Sequence, residues 1–197
     1  LDADLGDRVA LRLDPGLIFG TGSHATTRMC LKALQEKDLA GLRVLDLGCG
    51  SGILGIGALL LGCDSVTGCD IDPKAPDVAL SNAMLNGITE ENFKVYAGDI
   101  LSDEGMRKFL GEGYDLVLAN IVSDVIIPLS AFVRRFMAPD ALFICSGIID
   151  GRQDEVAAAI ESNGLEILSH RILHVKSNSK MINNPLCLNY MYVSFLN

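Results

Sequence analysis

Three glycines within five residues, set at the end of a short apolar run, constrain this chain more than any other feature. Residues 43–47 read as a strand, and Asp46-Leu47-Gly48-Cys49-Gly50-Ser51-Gly52 carries the chain out of it. Residues 52–61 then read as a helix. Glycine lets the backbone turn tightly and approach a ligand with no Cβ in the way. A helix that starts there aims its first amides at the same spot. A strand, a glycine loop and a helix in this order form a unit of α/β folds with a ligand site at the strand's carboxyl end.

The rest of the chain repeats the alternation. Strands are predicted over 65–70, 93–97, 114–119 and 142–146, and helices over 73–85, 125–137 and 153–163. Asn86-Gly87 and Gly164 serve as stop signals. Two further strands, 165–175 and 187–195, have no helical pattern between them and read as an antiparallel hairpin at one edge. The expected fold is α/β: a doubly wound, mostly parallel, seven-stranded sheet with an antiparallel C-terminal strand.

Composition excludes several functions. The 197 residues suit one domain, expected over 1–197, and the net charge of −9 argues against a broad nucleic-acid footprint. No apolar run is long enough to span a membrane, and the acidic start Leu1-Asp2-Ala3-Asp4 is not a signal peptide. The first residue is not Met, so a trimmed chain is expected. The six cysteines (Cys30, Cys49, Cys63, Cys69, Cys145, Cys187) form no C-x-x-C pair. No metal site is expected, and the thiols read as free and buried in a reducing, cytoplasmic setting.

The glycine loop admits two cofactors. Gly50, Gly52 and Gly55 fit the dinucleotide fingerprint G-x-G-x-x-G, which would make the chain a nicotinamide-dependent oxidoreductase. Asp46 argues the other way: an anion just before the glycines suits a cationic ligand better than a pyrophosphate. S-adenosylmethionine carries a sulfonium and an ammonium and no phosphate, so it is the expected cofactor. Asp70, at the end of the second strand, is positioned to accept from both ribose hydroxyls. Asp72, followed by Pro73, reads mainly as a helix cap, with the ribose role as the alternative. Asp99, past the third strand, is either an acceptor for the adenine amino group or a loop cap. Asn120, at the end of the fourth strand, stands beside the reactive end of the cofactor. Methyltransferases of amide or base nitrogens often carry Asn-Pro-Pro-Tyr there. Here the sequence is Asn120-Ile121-Val122-Ser123, without the aromatic residue that would stack on a planar group, so an aliphatic amine is the expected acceptor.

A second string, Gly20-Thr21-Gly22-Ser23-His24-Ala25-Thr26-Thr27, precedes a helix beginning near Thr26, which one of its hydroxyls is expected to cap. Together with Asp46-Leu47-Gly48-Cys49-Gly50-Ser51-Gly52-Ile53-Leu54 and Ala119-Asn120-Ile121, this string resembles the methyltransferases of large-subunit ribosomal protein L-eleven. The resemblance runs from about Leu13 to Glu166, with Ser23 and Ala25 as mild departures from the family's Thr and Pro. It implies the Rossmann-like fold of class I methyltransferases and cofactor contacts at Thr27, Gly48, Asp70 and Asn120. It also implies methylation of lysine side chains and an N-terminal α-amine on a basic ribosomal protein. RNA or a small molecule is the alternative acceptor. Full-length members carry a separate N-terminal recognition domain. It is expected to be missing from this chain, either cut away or never encoded. His24 reads as a catalytic base, or as a residue that orders its loop or covers the methionine part of the cofactor. His170 and His174 read as structural.

Overall fold

The computed structural model describes residues 9–14, 24–176 and 186–196. Residues 15–23, which include Gly20 to Ser23 of the second string, and residues 177–185 between the last two strands lie outside the described residues, as do the side chains of His174 and Cys187.

Five parallel strands form the frame: β1 (Arg43–Leu47), β2 (Ser65–Asp70), β3 (Phe93–Ala97), β4 (Tyr114–Asn120) and β5 (Met137–Ile149). Helices connect them: α1 (Ala25–Gln35) leads in, then α2 (Ile53–Leu60), α3 (Ala75–Met84), α4 (Glu104–Leu110), α5 (Ser123–Ser130) and α6 (Gln153–Ser162). β6 (Leu165–Lys176) and β7 (Leu186–Leu196) close the sheet as an antiparallel pair. The order is β3-β2-β1-β4-β5-β7-β6, so the last strand inserts between β5 and β6. The predicted seven-stranded, mostly parallel fold is the one observed.

The strands are apolar on both faces because helices cover both. Val44, Leu116, Leu118 and Ile144 face one core layer, shared with Cys30, Leu34 and Ile56 of α1 and α2. Their neighbours in sequence, Leu45, Val117, Phe143 and Cys145, face the other, with Ile126 of α5 and Ile160 of α6. The two-residue period of a strand produces this division. Leu45 has no exposed surface, and its truncation to alanine is expected to cost about 2–5 kcal/mol. Among the described residues no helix is long and apolar enough to cross a membrane.

The structure corrects the elements around the third helix connection. In place of one helix over 125–137, α5 stops at Ser130. The turns that follow tighten to i→i+3 bonds, Ala131 N–H to Pro128 O and Phe132 N–H to Leu129 O, and a 3-10 turn spans Val133–Arg135. Pro128 leaves no amide to donate within α5, and Ser130 Oγ donates to Ile126 O, so little holds a longer α-helix together. β5 accordingly begins earlier than predicted, at Met137. Tyr114 pairs with Met137 but Leu116 pairs with Leu142, which leaves a bulge containing Asp140 at φ 62°. α4 was not expected; only Leu110 of it is buried, too little to show a period. α3 starts at Ala75, so Asp72 is not its N-cap. Asp72 Oδ1 accepts from Lys74 N–H (2.9 Å) in the turn that leads into the helix.

Candidate active site

All the site residues predicted from sequence that fall among the described residues, except Asp46, stand on loops or element ends at the carboxyl edge of the sheet. Asp46 lies one residue in from the carboxyl end of β1. Gly48, Gly50 and Gly52 all have positive φ, at 71°, 50° and 79°, a region that costs an L-residue strain. Space excludes a side chain as well: a Cβ on Gly48 would overlap Ile121 Cγ2, and one on Gly52 would stand 2.9 Å from the Ala79 Cβ. Gly55 has ordinary φ, yet a Cβ there would lie 2.9 Å from both Phe93 and Val66, so this glycine lets α2 sit down on the sheet.

Two carboxylates brace the loop. Asp70 Oδ2 accepts from Gly50 N–H (2.7 Å) and Oδ1 from Asp72 N–H (2.9 Å). Each oxygen keeps a second lone pair, so the pair can take two further hydroxyl donors, as a ribose diol requires. Asp46 is 1% exposed and accepts from Gly55 N–H through Oδ2 (3.1 Å). Burial first, then the nearby Asp70 charge, push its carboxyl up from 3.8 to about 7; the Gly55 bond acts against them. A buried anion beside a glycine loop is stabilised by a cation and not by a pyrophosphate. The donor set therefore fits S-adenosylmethionine better than a dinucleotide.

Asn120 and Thr27, 93 residues apart, meet: Asn120 Nδ2 donates to Thr27 Oγ1 (3.2 Å), and Thr27 is buried. Asn120 Oδ1 is buried and has no partner. Most buried polar atoms are hydrogen-bonded, so an orphaned acceptor is ready for an N–H donor. His24 is the N-cap of α1, in place of the expected hydroxyl. Its Nδ1 accepts from Thr26 N–H (3.4 Å) and lies 2.7 Å from Thr26 Oγ1. That bond gives His24 an ordering role. Asp99 closes its own turn, accepting from Leu101 N–H (2.8 Å) and Ser102 Oγ (2.6 Å). The Ser102 hydroxyl and these amides hold its carboxyl below the usual range.

Three residues escaped sequence reasoning. Ile71, 72% exposed, follows Asp70 directly and offers an exposed apolar side chain at the end of β2. Ile121 covers Gly48. Asn82 of α3 is buried and donates to Ser51 O (2.9 Å) while accepting from Asp14 N–H (2.9 Å). With Asn86, which both donates to and accepts from the Arg12 backbone, it clasps the N-terminal segment to the glycine loop. Only the Gly52–Ala79 proximity, the place of Asn82 on the buried face of α3 and that of Asn86 in the turn after it mark this clasp, and none is visible as a motif. Among the described residues five cysteines are free and buried; burial raises the Cys30, Cys63 and Cys69 thiols to about 12, which leaves them inert. Among the described residues no group of three His, Cys, Asp or Glu could hold a metal.

The sheet order and the glycine loop define the class I methyltransferase fold. The chain is similar over 95% of its length to a solved ribosomal protein L11 methylase from Lactobacillus delbrueckii subsp. bulgaricus, with 28% identity, a TM-score of 0.74 and 86% of that chain covered. It is 44% identical over 161 residues to a ribosomal protein L11 methyltransferase of Lachnospira eligens, matching 81% of this chain and 51% of the relative. A counterpart from Thermoanaerobacter pseudethanolicus is 43% identical over 156 residues, matching 79% and 48%. The family described as ribosomal protein L11 methyltransferase, PrmA, matches residues 2–174, and the chain belongs to it. The chain spans about half the length of the curated relatives it matches.

Proposed function

We propose that this chain binds S-adenosylmethionine and transfers its methyl group to amine nitrogens, lysine side chains and an N-terminal α-amine, of a large-subunit ribosomal protein. One observation carries the reading: the orphaned Oδ1 of Asn120, beside the glycine loop, is an acceptor waiting for an N–H. The relatives' names support the ribosomal substrate. In this reading residues 1–197 act as one methyltransferase domain. The basic character of the substrate, the absence of direct nucleic-acid contact and a cytoplasmic location belong to the same reading.

The bound cofactor supplies an electrophilic methyl on a sulfonium. Asp70 would hold the ribose hydroxyls, and Asp46, once ionised, would offset the cofactor's positive charge. The glycine loop of Gly48, Gly50 and Gly52 would leave room for the cofactor, Asp99 would accept from the adenine amino group, and Ile71 would supply apolar surface beside it. The acceptor amine must arrive neutral. A lysine near pKa 10.4 costs about 4.6 kcal/mol to neutralise at pH 7, and an α-amine near 8 about 1.4. Burial beside a cation lowers both costs. Asn120 Oδ1 would accept a hydrogen bond from the neutral amine and so aim its lone pair, which is catalysis by positioning. Thr27 fixes the Asn120 amide. Water takes the proton away, with His24 as the alternative base. The test is calorimetry with S-adenosylmethionine, followed by a radiolabelled-methyl assay on the ribosomal protein. Cofactor binding without methylation, by this chain and by the whole protein, would point to an RNA or small-molecule acceptor. Binding of NADH in its place would sink the reading.

A further inference from the structure

The acceptor side of the site has a rim built by two turns, β4–α5 and β5–α6. They lie side by side. A Cβ on Gly147 would overlap the Ile121 carbonyl, and Ile121 N–H donates to Ser146 O (3.0 Å). Arg152 Nη1 bonds Asp124 Oδ1 at 2.9 Å and so ties the two turns together. Each turn exposes one large apolar side chain, Val122 at 60% and Ile149 at 56%. Next to Ile149 stands Asp150, exposed, with its Oδ1 accepting from the Tyr190 hydroxyl (3.3 Å). Tyr190 is 7% exposed and reaches the rim from β7, paired with Ile148. Burial and the Asp150 charge keep its phenol protonated, hence a donor. No Lys or Arg among the described residues pairs with Asp150, whereas Asp124, Glu155, Glu104 and Glu36 all have basic partners.

We propose that Asp150, oriented by Tyr190 beside the apolar pair Val122 and Ile149, receives a basic side chain neighbouring the target amine in the acceptor polypeptide. This rests on the function proposed above. Position decides which cation it takes. Asn120 pairs with Ser146, and Asp150 lies four residues further along the chain, just past the end of β5. Asp150 is thus displaced from Asn120 along the strand direction, so the cation it suits is a side chain adjacent to the amine held at Asn120. Val122, two residues after Asn120, and Ile149, next to Asp150, offer exposed apolar surface to the methylene stem of the entering lysine. The carboxylate is exposed, so it contributes specificity and capture more than raw affinity. Asp150 touches the substrate; Tyr190 is a positioning residue.

The experiment compares two short peptides, each with one lysine, flanked by arginines in one and by alanines in the other. Binding is measured by fluorescence anisotropy on the chain loaded with S-adenosylhomocysteine, at low and high salt. The arginine-flanked peptide should bind about threefold to fivefold tighter at low salt, with the advantage shrinking as salt screens it. Asp150→Asn should remove the advantage and leave the alanine-flanked peptide unchanged. Tyr190→Phe should reduce the advantage by half or more. An intact preference in Asp150→Asn overturns the proposal. So does an equal loss for both peptides, or no binding of either. S-adenosylhomocysteine affinity, measured separately by calorimetry, tests the proposed function on its own. If that ligand fails to bind, the same peptide comparison without it still decides the role of Asp150.

Discussion

The carboxyl edge of the sheet has two halves built on different principles. At β1 and β2 the ligand surface is mostly backbone: three glycines at positive φ, with amides and carbonyls tied by Asp70 and Asn82. The amides of Gly48, Gly50, Gly52 and Gly55 there already have protein partners. At β4 and β5 the surface is side chains: an orphaned Asn120 oxygen, exposed Val122 and Ile149, and the Tyr190–Asp150 pair. A backbone cradle tolerates few substitutions, because the constraint is φ and space. A side-chain rim can change its preference one residue at a time without disturbing the loop next to it. One half is thus suited to an invariant cofactor and the other to a particular acceptor.

That division is open to measurement, beginning with its strongest consequence. Asp70→Ala should weaken S-adenosylmethionine by about 2–4 kcal/mol, since it removes a charged acceptor for two hydroxyls. Calorimetry showing affinity within twofold of the parent would move the ribose role to Asp72. Asn120→Ala should lower turnover about a hundredfold while cofactor affinity changes only a few-fold. If affinity falls as far as turnover, the two halves are not separable. Asp46 supplies a pH test. Its folded pKa, about 7, lies above the ordinary 3.8, so the unfolded chain releases this proton first. Stability without cofactor should therefore be highest below about pH 4 from this group and decline through about pH 7. Cofactor affinity should rise over the same window, because a cation favours the ionised form. Asp46→Asn should flatten both slopes in thermal melts and titrations. The smallest effect is expected at the clip between the turns. Arg152→Ala should cost less than about 1 kcal/mol of stability, as exposed ion pairs do. It should raise KM for the acceptor and leave cofactor binding alone.

The backbone half was the more legible from sequence. Gly48, Gly50 and Gly52 announce their conformation because few other residues adopt it, and the strands announce themselves by alternating between two apolar layers. What stayed hidden depends on partners distant in the chain. The meeting of Thr27 with Asn120 was not foreseen, since no local rule joins residues so far apart; the family resemblance singled out each of them only as a cofactor contact. The Asn82 and Asn86 clasp, the His24 cap and the split of the helix at Ser130 left no periodic trace. α4 was missed for a related reason: a helix that buries only Leu110 has no stripe to read. Asp99 shows the limit from the other side. Its turn-closing bonds are visible, and they neither require nor forbid a second role at the adenine.

The position of β7 sets the timetable of assembly. A chain emerging from its N-terminus completes β1 to β5 in order, yet β6 then has no neighbour to join. The open side of β5 and the whole of β6 wait for residues 186–196, which slide between them as a keystone. Until those residues arrive the growing molecule carries unpaired strand edges, the kind of surface that recruits other chains. Tyr190 travels on that same strand, so the acceptor rim is finished only when the sheet is.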